Sequence, residues 1–361
     1  RYAGGGLLML ADQDPVVLLQ HGGLDSLTGK TGLAMLRHRR GPIVAVIDPD
    51  HAGQRLETVT GIPRPVPVVR DLAEALAFRP SVAVVGLAPS GGVLPAALRS
   101  DVLSALKAGL SVASGLHTYL ADDPELSAAV QPGRWIWDLR CEPKGLRVGQ
   151  ARAAALPCKR VLAVGTDMAV GKMSACLAVQ EAAQRLAVSV AFVGTGQAGI
   201  LISGQGVPLD AVRVDYAAGA VEAAVLSAAS AAGDDALLLV EGQGSLCHPG
   251  STATLPLLRG SQPTALLMVH RAHQSCIHRL PDIALPPLED LIQLCEGLAS
   301  IGRPLGAGPP PLVRAVALNT EGLSDAECAR FSAELSERLS LPCVDPIRQG
   351  ADSLLEALMA P

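Results

Sequence analysis

The chain has 361 residues, of which 49% are hydrophobic and only 2% aromatic, and its formal net charge is −5. This length suffices for two domains, and the lack of basic blocks argues against a nucleic-acid partner. No apolar run reaches the roughly 18 residues of a membrane-spanning helix, and eight scattered cysteines without a C-x-x-C pair favour reduced thiols in a cytoplasmic protein.

The first part of the chain alternates short apolar runs with helical stretches. Strands are predicted at 15–20, 43–48, 82–87 and 110–113, and helices at 30–39, 71–78 and 95–108. Such alternation is typical of a parallel, doubly wound sheet that binds ligands at the carboxyl ends of its strands. We therefore predict a Rossmann-like domain over residues 1–143, which ends in the polar stretch 134–143.

A linker at 144–157 leads to a second α/β domain, 158–361. Its strands are predicted at 161–164, 190–193, 236–240, 265–269 and 315–318, and a helix at 172–186. The proline-rich segments 285–287 and 308–311 are predicted to be surface loops. The fold class is thus α/β with two doubly wound parallel-sheet domains, and we expect the functional site between them.

The segment GTDMAVGK, residues 165–172, lies between a predicted strand and a predicted helix, where a phosphate-binding loop occurs. Its backbone N–H groups and the helix N-terminus attract anions, and Lys172 is placed to reach phosphates. This loop predicts a P-loop NTPase-like second domain. Its candidate cofactor-binding residues are Gly165, Thr166, Asp167, Gly171, Lys172, Met173 and Ser174.

Magnesium is a candidate cofactor, but Met173 stands where a magnesium-binding Ser or Thr is usual, and a thioether does not suit this ion. Ser174 could substitute. Two acids could also serve, Glu241 at the end of strand 236–240 and Asp215 before a helix, although a strand-end acid and a helix cap explain them too. Asn319, after strand 315–318, could read the edge of a base or be a simple turn residue.

Further polar residues cluster in two segments. In VHRAHQSCIH, 269–278, a helix would place His270 and His273 on one face; zinc ligation, a substrate or catalytic role and a water-facing loop all remain open. Beyond Glu241, residues 243–248 would approach a γ-phosphate or an acyl group. The catalytic candidates are Glu241, His248 and His270, and the substrate-binding candidates are Arg271, Gln243 and Ser245.

The motifs GTDMAVGKM and VEGQGS resemble those of dethiobiotin synthetase, which has Thr where Met173 stands. A longer resemblance, through HGGLDSLTGKTG, GLHTYLADDPEL, VEGQGSLCHPG and LPCVDPIRQGA, is to the DgcN-like family, long catalogued as a domain of unknown function. There the Lys-Met pair is usual. This resemblance implies a Rossmann-like first domain, a P-loop second domain and, for the member that names the family, N-acetylation of D-glutamate by acetyl-CoA.

A second Gly-Lys pair occurs in GLDSLTGKT, 23–31. Together with its surroundings it is similar to the CoA-binding domain of the succinyl-CoA synthetase α subunit. That resemblance implies that Pro89 flanks the pantetheine arm and that CoA phosphates face Thr28, Gly29, Lys30, Thr31 and Gly32. The alternatives are a purely structural turn and a dinucleotide site with Asp48 near the ribose.

Three functions are consistent with these patterns. The family resemblance favours transfer of an acetyl group from acetyl-CoA to a D-glutamate-like amino acid. An ATP-dependent ligase or kinase of the dethiobiotin synthetase type acting on a small carboxylate is the first alternative, and a non-enzymatic nucleotide-sensing protein is the second. The expected partner is a small amino-acid substrate, without nucleic acid or membrane, and homo-oligomer formation is left open.

Overall fold

The computed structural model describes residues 10–88 and 94–360. The chain divides into two compact units. The first comprises the described residues up to Lys144 together with Gln197–Ala211, and the second comprises Gly145–Gly196 and the described residues from Val212 onward. None of the helices within the described ranges is long and apolar enough to cross a membrane.

The first unit contains one sheet of six parallel strands in the order β3-β2-β1-β4-β5-β6. The strands are β1 (Val16–Leu19), β2 (Ile43–Ile47), β3 (Val68–Val69), β4 (Val82–Val85), β5 (Ser111–Ser114) and β6 (Ile136–Asp138). The helices are α1 (Lys30–His38), α2 (Leu56–Thr60), α3 (Leu72–Leu76), α4 (Ala96–Lys107) and α5 (Pro124–Ala129). This strand order confirms the predicted doubly wound, Rossmann-like fold.

The strands form because their Val, Ile and Leu side chains are buried on both faces of the sheet, as parallel strands require. The stretch 134–143 does lead out of the main segment of the first unit, which ends at Lys144, but the prediction missed that it contains the edge strand β6. Trp137 is only 4% exposed, and the buried carboxylate of Asp138 accepts hydrogen bonds from the N–H groups of Leu120 and Ala121, both at 2.9 Å. The polar residues on either side of this short edge strand interrupt the apolar pattern from which a strand would be predicted.

The second unit contains six parallel strands in the order β14-β13-β10-β7-β9-β8, with an antiparallel hairpin, β11-β12. The strands are β7 (Lys159–Gly165), β8 (Val190–Val193), β9 (Leu237–Val240), β10 (Ala265–Arg271), β11 (Cys276–Ile277), β12 (Leu280–Ala284), β13 (Leu312–Asn319) and β14 (Cys343–Val344). The helices of this unit are α6 (Lys172–Arg185), α8 (Val214–Ala232), α9 (Thr254–Ser261), α10 (Leu288–Ser300), α11 (Asp325–Leu339) and α12 (Asp352–Met359). One further helix, α7 (Gln197–Ser203), belongs to the first unit.

Part of the expected linker, 144–157, is held against α8. The buried carboxylate of Glu222 accepts hydrogen bonds from the backbone N–H of Gln150 at 3.1 Å and of Arg152 at 2.7 Å, and pairs with the Arg152 guanidinium. Gly219 permits this approach, because a Cβ there would lie 1.7 Å from the Arg147 carbonyl oxygen. Residues 145–157 are therefore packed structure belonging to the second unit.

Candidate functional site

The glycine-rich loop lies at the carboxyl end of β7, in the middle of the second sheet. β7 ends at Gly165 and α6 begins at Lys172, with the left-handed residues Ala169 (φ 54°) and Gly171 (φ 110°) between them. The Thr166 N–H donates to the carbonyl oxygen of Val269 at 3.1 Å, which fixes the start of the loop on β10. The loop thus places the N-terminus of a 14-residue helix at the edge of the sheet where α/β proteins bind ligands.

Lys172 is buried within this loop, with 6% of its surface exposed. Its Nζ donates a hydrogen bond to the Asp167 carbonyl oxygen at 2.8 Å. The aliphatic stem lies against Gly242, where a Cβ would come within 2.8 Å of the Lys172 Cδ. Burial lowers the pKa of Lys172 to about 8, against the opposing effect of Asp167 and Glu241. A phosphate bound here would stabilise the charged form.

Asp167 connects the loop to the hairpin. Its carboxylate is 1% exposed and accepts hydrogen bonds from the Met168 N–H at 2.6 Å, from Gln274 Nε2 at 2.7 Å and from the His278 N–H at 2.7 Å. The side chain therefore shapes the loop from within. Gln274 did not stand out in the sequence, because its partner lies 107 positions away.

Glu241 follows β9 and is almost fully buried. Its Oε2 accepts hydrogen bonds from the N–H groups of Thr195 at 2.8 Å and Gly196 at 3.1 Å, both beyond the end of β8. Burial raises the pKa of Glu241 to about 7, although these hydrogen bonds and Lys172 act in the opposite direction. An acid with this pKa can exchange protons near neutral pH.

The described residues contain no group of three or more His, Cys, Asp or Glu side chains that could hold a metal ion. Asp215 is an exposed residue in the first turn of α8. Met173 is half-buried on α6, and Ser174 lines a pocket beside the loop. These donors do not fit a resident metal ion. A magnesium ion carried by nucleotide phosphates needs only one or two protein ligands, for which Glu241 and Ser174 remain the candidates.

The segment 269–278 is not a helix, so the expected shared helical face of His270 and His273 is wrong. β10 continues through Arg271 because it pairs residue by residue with β13 up to Asn319. His270 Nδ1 lies 3.2 Å from Thr166 Oγ1, and burial lowers the pKa of His270 to about 4. Arg271 forms an ion pair with the exposed Glu321 at 3.2 Å.

The loop after Glu241 brings three predicted residues to different positions. The buried Ser245 donates from Oγ to the Thr166 carbonyl oxygen at 2.9 Å, so it supports the phosphate loop. Gln243 packs on Gly196, where an added Cβ would lie 2.4 Å from its Nε2. His248 accepts a hydrogen bond at Nδ1 from the Gly250 N–H at 3.0 Å, which engages the basic nitrogen of the neutral ring.

Asn319 ends β13 and contacts the phosphate loop from the other side. Its Nδ2 donates to the Val170 carbonyl oxygen at 3.2 Å, and its Oδ1 accepts from the Glu321 N–H at 3.0 Å. It also lines a pocket of about 260 Å³ that includes Gly171 and Ser174. Asn319 therefore orients the loop, and a role in reading a base stays a prediction.

The second Gly-Lys turn, in the first unit, is closely packed. The Gly29 N–H donates to the Ser26 carbonyl oxygen at 3.2 Å, and an added Cβ at Gly29 would lie 1.9 Å from the Gly23 carbonyl oxygen. Thr31 is buried, whereas Lys30 is exposed at the start of α1. The CoA-binding role of Gly29, Lys30 and Thr31 stays a prediction.

Two further residues were predicted to contact a ligand near this turn, Asp48 in a dinucleotide site and Pro89 in a CoA site. Asp48 is fully buried and accepts hydrogen bonds from the Gly22 N–H at 2.9 Å and the Asp50 N–H at 3.2 Å, so it shapes the turn. A ribose hydroxyl would have to compete with these contacts. Pro89, expected beside the pantetheine arm, lies outside the described residues.

Both units match known protein families. Residues 147–355 match the family model described as "Domain of unknown function (DUF1611_C) P-loop domain", and residues 49–142 match "Domain of unknown function (DUF1611_N) Rossmann-like domain". A relative from Tritonibacter scottomollicae is 38% identical over 291 residues, and one from Pseudoalteromonas sp is 34% identical over 289 residues. Both are named D-glutamate N-acetyltransferase, and each match covers 80% of this chain and 84% of the relative.

A solved structure is also similar to this chain along nearly its full length. It is the crystal structure of a DUF1611 family protein from Anabaena variabilis, with 48% sequence identity and a TM-score of 0.87. The similarity covers 96% of this chain and 99% of that one. The likeness thus extends over both units.

Proposed function

The chain belongs to the DUF1611 family, as the predicted DgcN-like resemblance implied, and we propose that within this family it is an N-acetyltransferase. The proposed reaction transfers the acetyl group of acetyl-CoA to the amino group of D-glutamate or a closely similar amino acid. The observation that carries the proposal is the match to two relatives named for this activity, each across 80% of the chain. The phosphate loop adds independent support.

The loop supports the proposal because CoA carries a diphosphate and a 3′-phosphate. Backbone N–H groups at the start of α6 and the ammonium of Lys172 are suited to bind one of these groups. The buried ammonium loses hydration in the fold, as the lowered pKa of Lys172 indicates. A phosphate ligand would replace that hydration, and this gives the loop a function in holding the cofactor.

Acetyl transfer requires that the substrate ammonium lose a proton. The amine nitrogen then attacks the thioester carbonyl carbon; the C–N bond forms, the C–S bond breaks and the CoA thiolate leaves, to be protonated as CoA thiol. Of the three candidate bases, Glu241 has the most suitable pKa, about 7, whereas that of His270 is about 4. His248 has its basic nitrogen engaged by Gly250. We therefore assign proton removal to Glu241.

The test is an assay of the purified protein with acetyl-CoA and D-glutamate, which follows free thiol and identifies the product by mass spectrometry. Release of thiol that depends on D-glutamate, and is slower with L-glutamate, is the expected result. Lys172→Ala should raise the KM for acetyl-CoA at least about tenfold, equivalent to about 1.4 kcal/mol, because a charge-assisted contact is lost. Lys107→Ala, at an exposed lysine at the end of α4, is the matched control.

The same assay distinguishes the ATP-dependent alternative. Protein incubated with D-glutamate, ATP and bicarbonate should release no ADP. Formation of ADP together with no release of thiol from acetyl-CoA would overturn acetyl transfer in favour of a ligase or kinase.

A further inference from the structure

The hairpin β11-β12 is joined to the phosphate loop through Asp167. The buried carboxylate of Asp167 accepts a hydrogen bond from the backbone N–H of His278, in the turn of the hairpin, at 2.7 Å. It also accepts one from Gln274 Nε2 at 2.7 Å, and the same nitrogen donates to the Cys276 carbonyl oxygen, at the start of β11, at 3.0 Å. Because one buried carboxylate binds both the turn and the approach to the hairpin, the turn has a fixed position beside the loop.

Arg279 is the second residue of this turn and has an unfavourable backbone conformation. Ile277 pairs with Leu280 across the hairpin, so His278 and Arg279 alone connect the two strands. The φ of Arg279 is 67°, in the left-handed region that residues with a Cβ avoid and that glycine or asparagine usually occupies in turns. Glycine would form this turn with less strain, so the presence of arginine indicates a use for its side chain.

The guanidinium of Arg279 has no partner among the residues that the structure describes. Its side chain is exposed, and within those residues it makes no hydrogen bond or ion pair. Arg271, at the end of β10, is instead paired with Glu321 at 3.2 Å. The buried ammonium of Lys172 is suited to a phosphate. Arg279 is therefore a cation close to the phosphate loop that remains available to a further anionic group.

The assigned base and the hairpin lie close to the same part of the loop. Lys172 is near enough to Glu241 for each charge to shift the pKa of the other. The Nζ of Lys172 also donates to the carbonyl oxygen of Asp167 at 2.8 Å, and Asp167 binds the turn that carries Arg279. A small substrate at Glu241 is therefore within the neighbourhood of this turn.

The proposed substrate has an anionic group for Arg279. In D-glutamate the amino group and the α-carboxylate are attached to the same carbon, so an ammonium at Glu241 keeps the α-carboxylate beside it. The side-chain carboxylate is two methylene groups further away and needs a separate cation. Arginine suits this role, because its planar guanidinium, on a long side chain, binds a carboxylate through two parallel hydrogen bonds.

We infer that Arg279 binds the side-chain carboxylate of the amino-acid substrate and so makes the site specific for an acidic amino acid. The inference rests on the proposed function, from which it takes the class of substrate, and it adds a residue that determines specificity. It also gives the hairpin a role, because Asp167 then orders both the phosphate loop and the turn that recognises the substrate.

The experiment is calorimetric titration of the full chain with D-glutamate and, separately, with D-glutamine. CoA is present throughout, and because it carries no acetyl group there is no turnover. D-Glutamine has the same shape as D-glutamate but a neutral side chain. The wild type should bind D-glutamate at least about tenfold more tightly than D-glutamine, since the charge-assisted contact is made only by the carboxylate.

Arg279→Gly and Arg279→Gln should each reduce this preference to about twofold or less, through weaker binding of D-glutamate, and leave the affinity for CoA unchanged. Glycine suits the backbone of the turn, so Arg279→Gly should not lower the urea midpoint of unfolding, which separates lost recognition from lost structure. Arg259→Gln is the matched control. Arg259 is exposed in the last turn of α9, just before the amino end of β10, and its replacement should change none of these affinities.

Equal affinity of the wild type for the two amino acids, no binding of D-glutamate, or a preference that survives in Arg279→Gly would overturn the inference. Weaker binding of CoA instead of D-glutamate in that variant would also overturn it, because the guanidinium would then hold a phosphate. If D-glutamate binds through Arg279 but the wild type releases no thiol from acetyl-CoA, only the proposed function fails. If the wild type acetylates D-glutamate and Arg279→Gly keeps the preference, only the inference fails.

Discussion

Replacement of Lys172 by methionine should stabilise the fold while it removes phosphate binding. The fold lowers the pKa of Lys172 from 10.5 to about 8, because burial penalises the ammonium. At about 1.36 kcal/mol per pH unit, the charged side chain costs the folded state about 3 kcal/mol at neutral pH. Methionine has no charge to desolvate, but it leaves the Asp167 carbonyl oxygen without this donor, at a cost of roughly 1 to 2 kcal/mol. The expected net gain is about 1 to 2 kcal/mol.

The pH dependence of this gain follows from the direction of the pKa shift. Below pH 8 Lys172 is charged in both states, and the penalty is complete. Between pH 8 and 10.5 the folded protein loses this proton first, so the penalty disappears and the advantage of methionine should decrease. Urea unfolding at pH 7 and pH 10, without ligand, measures both effects, and calorimetry with ADP measures the loss of binding.

Lys159→Met is the matched control for Lys172→Met. Lys159 begins β7 and donates hydrogen bonds to the carbonyl oxygens of Met359 and Ala360, so its replacement should destabilise the fold. If Lys172→Met lowered the free energy of unfolding at pH 7 by about 1 kcal/mol or more, the expectation would be refuted. Such a result would mean that the fold stabilises the ammonium.

The remaining predictions concern the base and the first unit. Glu241→Gln should lower kcat at least about 100-fold and abolish the rise of the rate through about pH 7, as loss of a general base would. This variant should not lower stability at pH 8. Burial raises the pKa of Glu241 from 4.5 to about 7, so the fold loses stability as the pH rises from about 4.5 to 7, and this penalty is complete above pH 7. Rate profiles and urea unfolding test both effects, and a variant with the wild-type rate would show that the carboxylate only holds Thr195 and Gly196. If the first unit binds CoA, Lys30→Ala should raise the KM for acetyl-CoA and leave any affinity for ATP unchanged, with Lys107→Ala as control. An unchanged KM in Lys30→Ala would leave that turn with a structural role.

The sequence predicted the phosphate loop because its signal is local. A buried strand, a glycine-rich turn and a helix occur in direct succession around Gly165 and Lys172, so neighbouring residues determine the structure. The same was true of most central strands of both sheets, whose apolar runs are continuous. The class of fold could be derived from such patterns.

The contacts that complete the site could not be derived in this way. Asp167 is bound by Gln274 and by the His278 N–H, and Glu241 by Thr195 and Gly196, across sequence separations of more than 40 residues. The helical hypothesis for 269–278, one of the alternatives left open, fails for a similar reason, since pairing of β10 with β13 extends the strand to Arg271. Tertiary pairing decided these features, and no periodicity within the segment indicates it.

Residues Gln197–Ala211 belong to the first unit although the second unit surrounds them in sequence, and this limits how the protein can be cut into separate domains. This segment interrupts the second unit in sequence, and the buried residues of α7, Gly199–Ile202, pack with the first unit against α1. A polypeptide that began at Gly145 would carry this apolar helix without the surface that covers it, a condition that promotes aggregation. The two halves are therefore not interchangeable modules. Duplication, fusion or loss of either half during evolution would have had to keep or redesign this short helix.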